Sequence, residues 1–145
     1  MMASRGYSMS PRQRTTDQKR LPVKSRAKTP PTFRLMPRDI RILRTVLEYR
    51  FLYIEQIARA LGESTRGVEL RLKLLYHNGY VDRIKLPVDR SNKMIYSLRE
   101  KGAKLLAEAE GIGRDEIAWT RFHNQVTPTH ISHLLTINDA LISYE

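Results

Sequence analysis

The sequence predicts a mainly α-helical fold with a small β-hairpin: a winged helix-turn-helix, preceded by a basic disordered arm and followed by an extra C-terminal helix. Three observations predict it. Between residues 36 and 78, apolar residues recur at helical spacing in three short runs separated by turn residues. From Val81 to Leu98 the period drops to two on either side of a turn-rich loop. Residues 1–35 have no apolar period and carry most of the charge.

The chain divides by composition into an arm (1–35), a winged-helix domain (36–112), and a linker with a C-terminal helix (113–145). In the arm, Arg5, Arg12, Arg14, Lys19, Arg20, Lys24, Arg26, Lys28 and Arg34 stand against Asp17 alone, giving +8 of a total of +11. With four prolines and many Ser and Thr, such a segment buries too little apolar surface to order itself. Its expected use is electrostatic: Arg12, Arg14, Lys19, Arg20, Lys24, Arg26 and Lys28 track phosphates or reach a minor groove without selecting sequence. The plainer alternative is a solubilising tail. A transit peptide fits less well, because the prolines interrupt its amphipathic helix.

The first helix starts near Met36. Pro37 suits an opening turn, Asp39 favours its positive end, and Ile40, Leu43, Val46 and Leu47 form its apolar stripe until about Arg50. Phe51 and Leu52 read as core-seeking connectors. Ile54, Ile57, Ala58 and Leu61 mark a shorter second helix ending at Gly62, and Glu63 leads into the third.

That third helix, Ser64 to about Asn78, is the expected recognition helix. The Ser64 hydroxyl is a good N-cap, and Val68, Leu72 and Leu75 share the core face. At about 100 degrees per residue the opposite face carries Arg66, Leu70, Lys73 and His77, with Thr65 and Glu69 near the start. Cations and short hydroxyls suit a major groove. Gly79 supplies the positive φ that ends the helix.

In the hairpin, Ile84 and Leu86 are expected inside, alternating with Arg83 and Lys85. On the return strand Met94, Tyr96 and Leu98 alternate with Lys93, Ile95 and Ser97. Pro87, Asp89, Ser91 and Asn92 form the loop, with Arg90 at its tip. Arg83, Lys85, Arg90 and Lys93 make a basic wing suited to phosphates or a minor groove, although lysines also guard ordinary strand edges. A fourth helix runs from Gly102 to about Ala109 with Leu105 and Leu106 inside, and Gly111 and Gly113 end it.

The runs MPRDIRILRTVLEYRFLYIEQIARALG, STRGVELRLKLLYHNGYVDRI, MIYSLREKGAKLLAEAEG and THISHLLTINDAL together resemble the replication-relaxation family of bacteria, their plasmids and mobile elements, over about residues 36–142. The resemblance implies a winged-helix DNA-binding domain and a role in plasmid replication or relaxation. The KGAKLL segment also looks like MarR-type and PadR-type regulators, whereas the terminal His, Asn and Asp pattern is more distinguishing. Three departures stand out. Tyr53 and Arg99 occupy positions where the family usually has Thr, so the second and fourth helices are expected to fray at their starts. Leu70 on the outer face implies either a thymine-methyl contact or a rotated helix. The chain ends at Glu145, where family members commonly continue.

From Thr129, an expected N-cap, Ile131, Leu134, Leu135, Leu141 and Ile142 read as one apolar stripe with Asn138 near its centre. A buried Asn sets the register of paired helices or satisfies a backbone group. The helix is expected to serve dimerisation or docking, with packing on its own domain as the alternative. His130 and His133, with His123 or Asp139, are the candidate metal ligands, but their spacing alone establishes no site. Relaxases use a His-hydrophobe-His motif beside a nucleophilic tyrosine, and His130, Ile131, Ser132, His133 breaks it by one residue. No phosphate-gripping glycine loop is present. Neither metal nor cofactor is expected, and the enzyme reading finds no support.

The whole-chain bounds agree. At 145 residues and 41% hydrophobic content one modest core is expected. The charge points to nucleic acid first and an acidic membrane surface second. Cysteine is absent, which excludes disulfides and zinc-thiolate sites and fits a reducing cytoplasm. No apolar run reaches a membrane span. Expected partners are double-stranded DNA, a second copy, and replication or relaxation proteins. The alternatives are a protein-docking accessory subunit and a metal-dependent nuclease fragment using His130, His133 and Asp139.

Overall fold

A computed structural model describes residues 21–22, 25–86 and 93–143. The chain forms two compact units, Met1–Pro30 and Pro31–Glu145. The described residues of the first unit carry neither helix nor strand. Arg12, Arg14, Lys19, Arg20 and Lys24 of the arm lie outside the described residues, as does the wing tip, 87–92, with Arg90.

The second unit runs α1 (Pro37–Tyr49), β1 (Leu52–Tyr53), α2 (Ile54–Leu61), α3 (Thr65–His77), β2 (Val81–Ile84), β3 (Ile95–Leu98), α4 (Glu100–Glu110), two 3-10 turns (Arg114–Glu116, Arg121–Asn124) and α5 (Pro128–Ser143). Its sheet has the order β1-β3-β2, both pairings antiparallel, with Leu52 opposite Tyr96 and Arg83 opposite Tyr96 from the other side. The main core joins α1 to α4 through Ile42, Val46, Ile57, Val68, Leu72, Leu75 and Leu106. A second cluster, Phe51, Leu86, Ile95, Ile131 and Leu135, sits between sheet and α5.

Several expectations need correction. The connector at Leu52 is a strand. By pairing with the outer edge of β3 it makes the hairpin's return strand central, so Ile95, Tyr96, Ser97 and Leu98 are all buried instead of alternating. Ile84 is exposed while Leu86 is buried. Alternation holds only while pairing lasts, and past the end of β2 the chain turns Leu86 into the second cluster. The fourth helix starts at Glu100, and Gly102 lies within it for a different reason: a Cβ there would stand 2.4 Å from the Tyr80 carbonyl oxygen. Leu105 is half-buried, and Ala103 and Ala107 join Leu106 inside. Gly79 does take a positive φ, 86°.

The start of α2 is held despite Tyr53 at the cap, because Gln56 Oε1 accepts from the Tyr53 amide at 2.9 Å. The start of α5 is capped by Thr127, not Thr129: its Oγ1 accepts from the His130 amide at 3.1 Å.

Between α1 and β1 the chain makes a tight γ-turn. Arg50 has φ 74° and ψ −54°, and the Phe51 amide donates to the Tyr49 carbonyl at 2.9 Å. That conformation is strained for a residue with a Cβ, costing on the order of 1–3 kcal/mol, and persists only where the surroundings over-determine it. Here they do. Asn138 Nδ2 donates to both flanking carbonyls, Tyr49 and Phe51, at 2.9 Å each, and Arg50 Nη2 donates to the His123 carbonyl at 2.7 Å.

Candidate nucleic-acid interface

The recognition helix is built as a capped cylinder with one dry side. Ser64 Oγ accepts from the Gly67 amide at 3.1 Å, satisfying one amide that the first turn leaves open. Val68, Leu72 and Leu75 are fully buried. On the other side Thr65, Arg66, Glu69 and Leu70 are exposed and Lys73 is half-buried. Leu70 is 57% exposed, so the helix has the rotation its apolar spacing predicts, and this leucine lies on the outer face.

His77 is a correction. It shares the outer azimuth but is only 2% exposed, its ring edge-on to Tyr76 at 4.9 Å between centroids. Azimuth says nothing about what covers a helix further along its axis, and the last turn of α3 lies where the chain folds back, with the Tyr80 amide donating to the Leu75 carbonyl.

Arg71, on the flank of α3, fixes the helix to α1. Its Nε and Nη2 donate to Asp39 Oδ1 and Oδ2 at 2.8 and 2.6 Å, and Asp39 also accepts from the Met36 amide at 2.9 Å. Asp39 is fully buried and the Arg71 side chain 16% exposed. The carboxylate raises the Arg71 pKa, chiefly through the hydrogen bond. The segment before α1 joins this tie: Arg71 Nη2 donates to the Arg34 carbonyl, Asn78 Nδ2 to the Pro31 carbonyl, and the guanidinium lies over the Phe33 ring at 5.5 Å. Residues 31–35, assigned to the arm by composition, are therefore bound along α3. Sequence reasoning missed Arg71 because a cation flanking an apolar stripe looks like any solvated one.

The wing cations are not equivalent. Arg83 is half-buried, with its guanidinium 4.0 Å from the Tyr76 ring centroid. Nearby, burial pushes the Tyr96 hydroxyl pKa up, and Arg83 opposes that shift. Lys85 is exposed. Lys93, also exposed, lies 3.8 Å from Glu55 Oε1 and over the Tyr53 ring.

On α5, Ile131, Leu135, Asn138 and Ile142 form the buried seam, while Leu134 is half-buried. Leu141 is exposed, contrary to the single stripe expected: it sits about 100 degrees round the helix from Ile142. The helix is seated on its own domain by the Asn138 bonds, by Gln56 Nε2 donating to the Leu135 carbonyl at 3.0 Å, and by Arg59 on Asp139 at 3.1 Å. His130 and His133 are exposed, and His123 Nδ1 accepts from the Thr120 amide. Among the described residues no group of three or more His, Asp or Glu is placed to hold a metal ion, and no helix is long and apolar enough to cross a membrane.

These elements in this order define a winged helix: a helix-turn-helix, a hairpin stacked beside it, and a closing helix. The chain belongs to the replication-relaxation family, whose profile matches residues 43–145. It is similar to the solved structure of the YusO protein from Bacillus subtilis, at 20% identity over 77% of each chain with a TM-score of 0.50. It is also similar to a MepR-like protein complexed with pseudoligands, at 20% identity over 76% of this chain and 75% of that one, TM-score 0.49. A MarR-family transcriptional regulator from Rhodococcus sp. RHA1 gives 21% identity, the same two coverages and a TM-score of 0.46. At such identities the likeness is one of fold. No curated protein matches the sequence.

Proposed function

We propose that this chain is a non-enzymatic, sequence-selective binder of double-stranded DNA, acting inside the cell in plasmid or mobile-element replication or relaxation, or in its transcriptional control. The observation that carries the reading is α3. Its outer face offers Thr65, Arg66, Glu69, Leu70 and Lys73 while its inner face is dry and its axis is fixed by Arg71 and Asp39. A helix held that rigidly with free polar side chains suits a major groove, where Arg66 meets guanine and Leu70 a thymine methyl. Family membership and the +8 of residues 1–35 support the same partner. The arm and wing cations Lys85, Arg90 and Lys93 hold phosphates, adding affinity without selection. A second copy pairing through the outer face of α5, where Ile137 and Leu141 are exposed, matches a two-fold DNA site.

Binding of the full chain to native-locus and random duplexes across a salt series tests this. Arg66→Ala is expected to relax preference at one base position by about 1–3 kcal/mol, whereas Lys93→Ala weakens all duplexes alike. Equal losses on every sequence for both variants would overturn the recognition role. Exposed apolar residues on α5 favour one second reading, an accessory subunit that docks protein. A complex that survives nuclease and high salt, with no selective duplex binding, would replace the first reading by it.

A further inference from the structure

Two arginines of α1 converge on the turn that introduces the recognition helix. Arg38 Nη2 lies 3.2 Å from Glu63 Oε1, and Arg41 Nη2 donates to Glu63 Oε2 at 2.5 Å. Three residues apart, they are neighbours on one face of α1. Their side chains are 41% and 52% exposed, against 20% for Glu63. Gly67 leaves the space Arg38 uses: a Cβ there would stand 3.3 Å from Arg38 Nη1 and 3.0 Å from Ser64 Oγ. Arg38 thus runs alongside the first turn of α3, next to the exposed Thr65 and Arg66.

The stoichiometry sets this cluster apart. Arg44 faces Glu110, Arg59 faces Asp139 and Arg71 faces Asp39, each on a carboxylate of its own, whereas Glu63 is shared by two guanidiniums. Two cations on one anion leave an excess positive charge at the surface. Half-exposed ion pairs contribute little to stability, so either guanidinium can change partner without loosening the fold. Each guanidinium holds one oxygen of the carboxylate, Arg38 on Oε1 and Arg41 on Oε2, and a phosphate offers anionic oxygens to both in the same way.

We propose that Arg38 and Arg41 form a clamp for a DNA backbone phosphate at the entrance of α3, with Glu63 as the resident anion that the phosphate displaces. The inference rests on the duplex binding proposed above and adds a site outside the recognition helix, wing and arm. Glu63 then acts as a competitor: it holds the clamp in shape in the free protein and weakens every duplex alike.

The test is a salt series with the full-length chain and a labelled duplex of random sequence. Each phosphate contact adds about 0.9 to the slope of log K against log salt, so Arg38→Gln with Arg41→Gln, which removes the clamp on one phosphate, is expected to flatten the slope by about 0.9. Glu63→Gln removes the competitor and is expected to tighten binding severalfold. Arg44→Gln, which removes a guanidinium from the same helix but one that faces Glu110, should leave the slope as it was. A slope unchanged in the double variant, an equal fall in the Arg44 variant, or no gain from Glu63→Gln would each overturn the clamp while the parent reading stands. Absence of any duplex binding by the unaltered chain would overturn both.

Discussion

Asp39 and Glu63 do the same chemistry at opposite depths. Each meets guanidinium chemistry at the junction of α1 and α3, yet Asp39 is sealed in with Arg71, its oxygens filled by three donors, while Glu63 is partly exposed between the half-exposed Arg38 and Arg41. The difference teaches that burial, not the pairing of charges, decides what an ion pair is for. A dry pair cannot lose one partner without stranding the other, so it holds the helix in place. A wet pair can exchange its partner, so it is available for binding.

Breaking the dry pair gives the largest expected effect. Arg71→Ala should cost about 3–5 kcal/mol of unfolding free energy, read as a lower urea midpoint, since it leaves the Asp39 carboxylate buried with only the Met36 amide. A loss under about 1 kcal/mol, the range of exposed pairs, would collapse the comparison. A neutral tie of equal depth sharpens it. Asn138→Ala removes a donor from two carbonyls, of which Tyr49 keeps the Phe51 amide, and the loss of such a buried neutral donor costs about 1–3 kcal/mol, so this variant should fall between the two ionic sites. Should it match Arg71→Ala, depth alone would set the cost and charge would add nothing. Next comes the wet pair: Glu63→Gln should change stability by no more than about 1 kcal/mol, and a larger loss would make Glu63 a structural residue.

The smallest effect is expected at Glu100, where hydrogen bonds from Arg114 at 2.7 and 2.9 Å hold the carboxyl below its ordinary range. A carboxyl lowered by folding contributes stability that is present above the unfolded value and disappears as pH falls through the folded one. The acid limb of a pH-stability profile should therefore differ slightly between the protein and Glu100→Gln. Salt should erase that difference, because the pair is exposed.

Most helices were legible because their signals are local. Ser64 as cap, Pro37 in an opening turn, and Gly62 after Leu61 all stand within a turn of the boundary they mark, and observed ends fall within a residue or two of those expected. The outer face of α3 was legible for the same reason, apart from His77. What escaped depends on distant chain. No period can be read from the two residues of β1, whose strand character comes from Tyr96 and Ile95. The sharing of Glu63 needs α1 and the helix-turn-helix corner brought together in space, and Arg71 acquires its partner 32 positions upstream. Asn138 was singled out correctly as a buried polar residue on α5, but only the fold identifies Tyr49 and Phe51 as its acceptors.

The γ-turn at Arg50 orders events in the life of the chain. Its clamp, Asn138, lies 89 and 87 positions after the carbonyls it holds. Translation at about 5–20 residues per second separates turn from clamp by roughly 4–18 s. During that interval the helix-turn-helix residues have all been made, yet the corner that joins α1 to the sheet lacks the bonds that hold its strain. The nascent protein therefore completes its reading head only after α5 emerges. A stop codon placed before residue 138 would yield a chain with every groove-facing side chain and a loosened corner between α1 and the sheet.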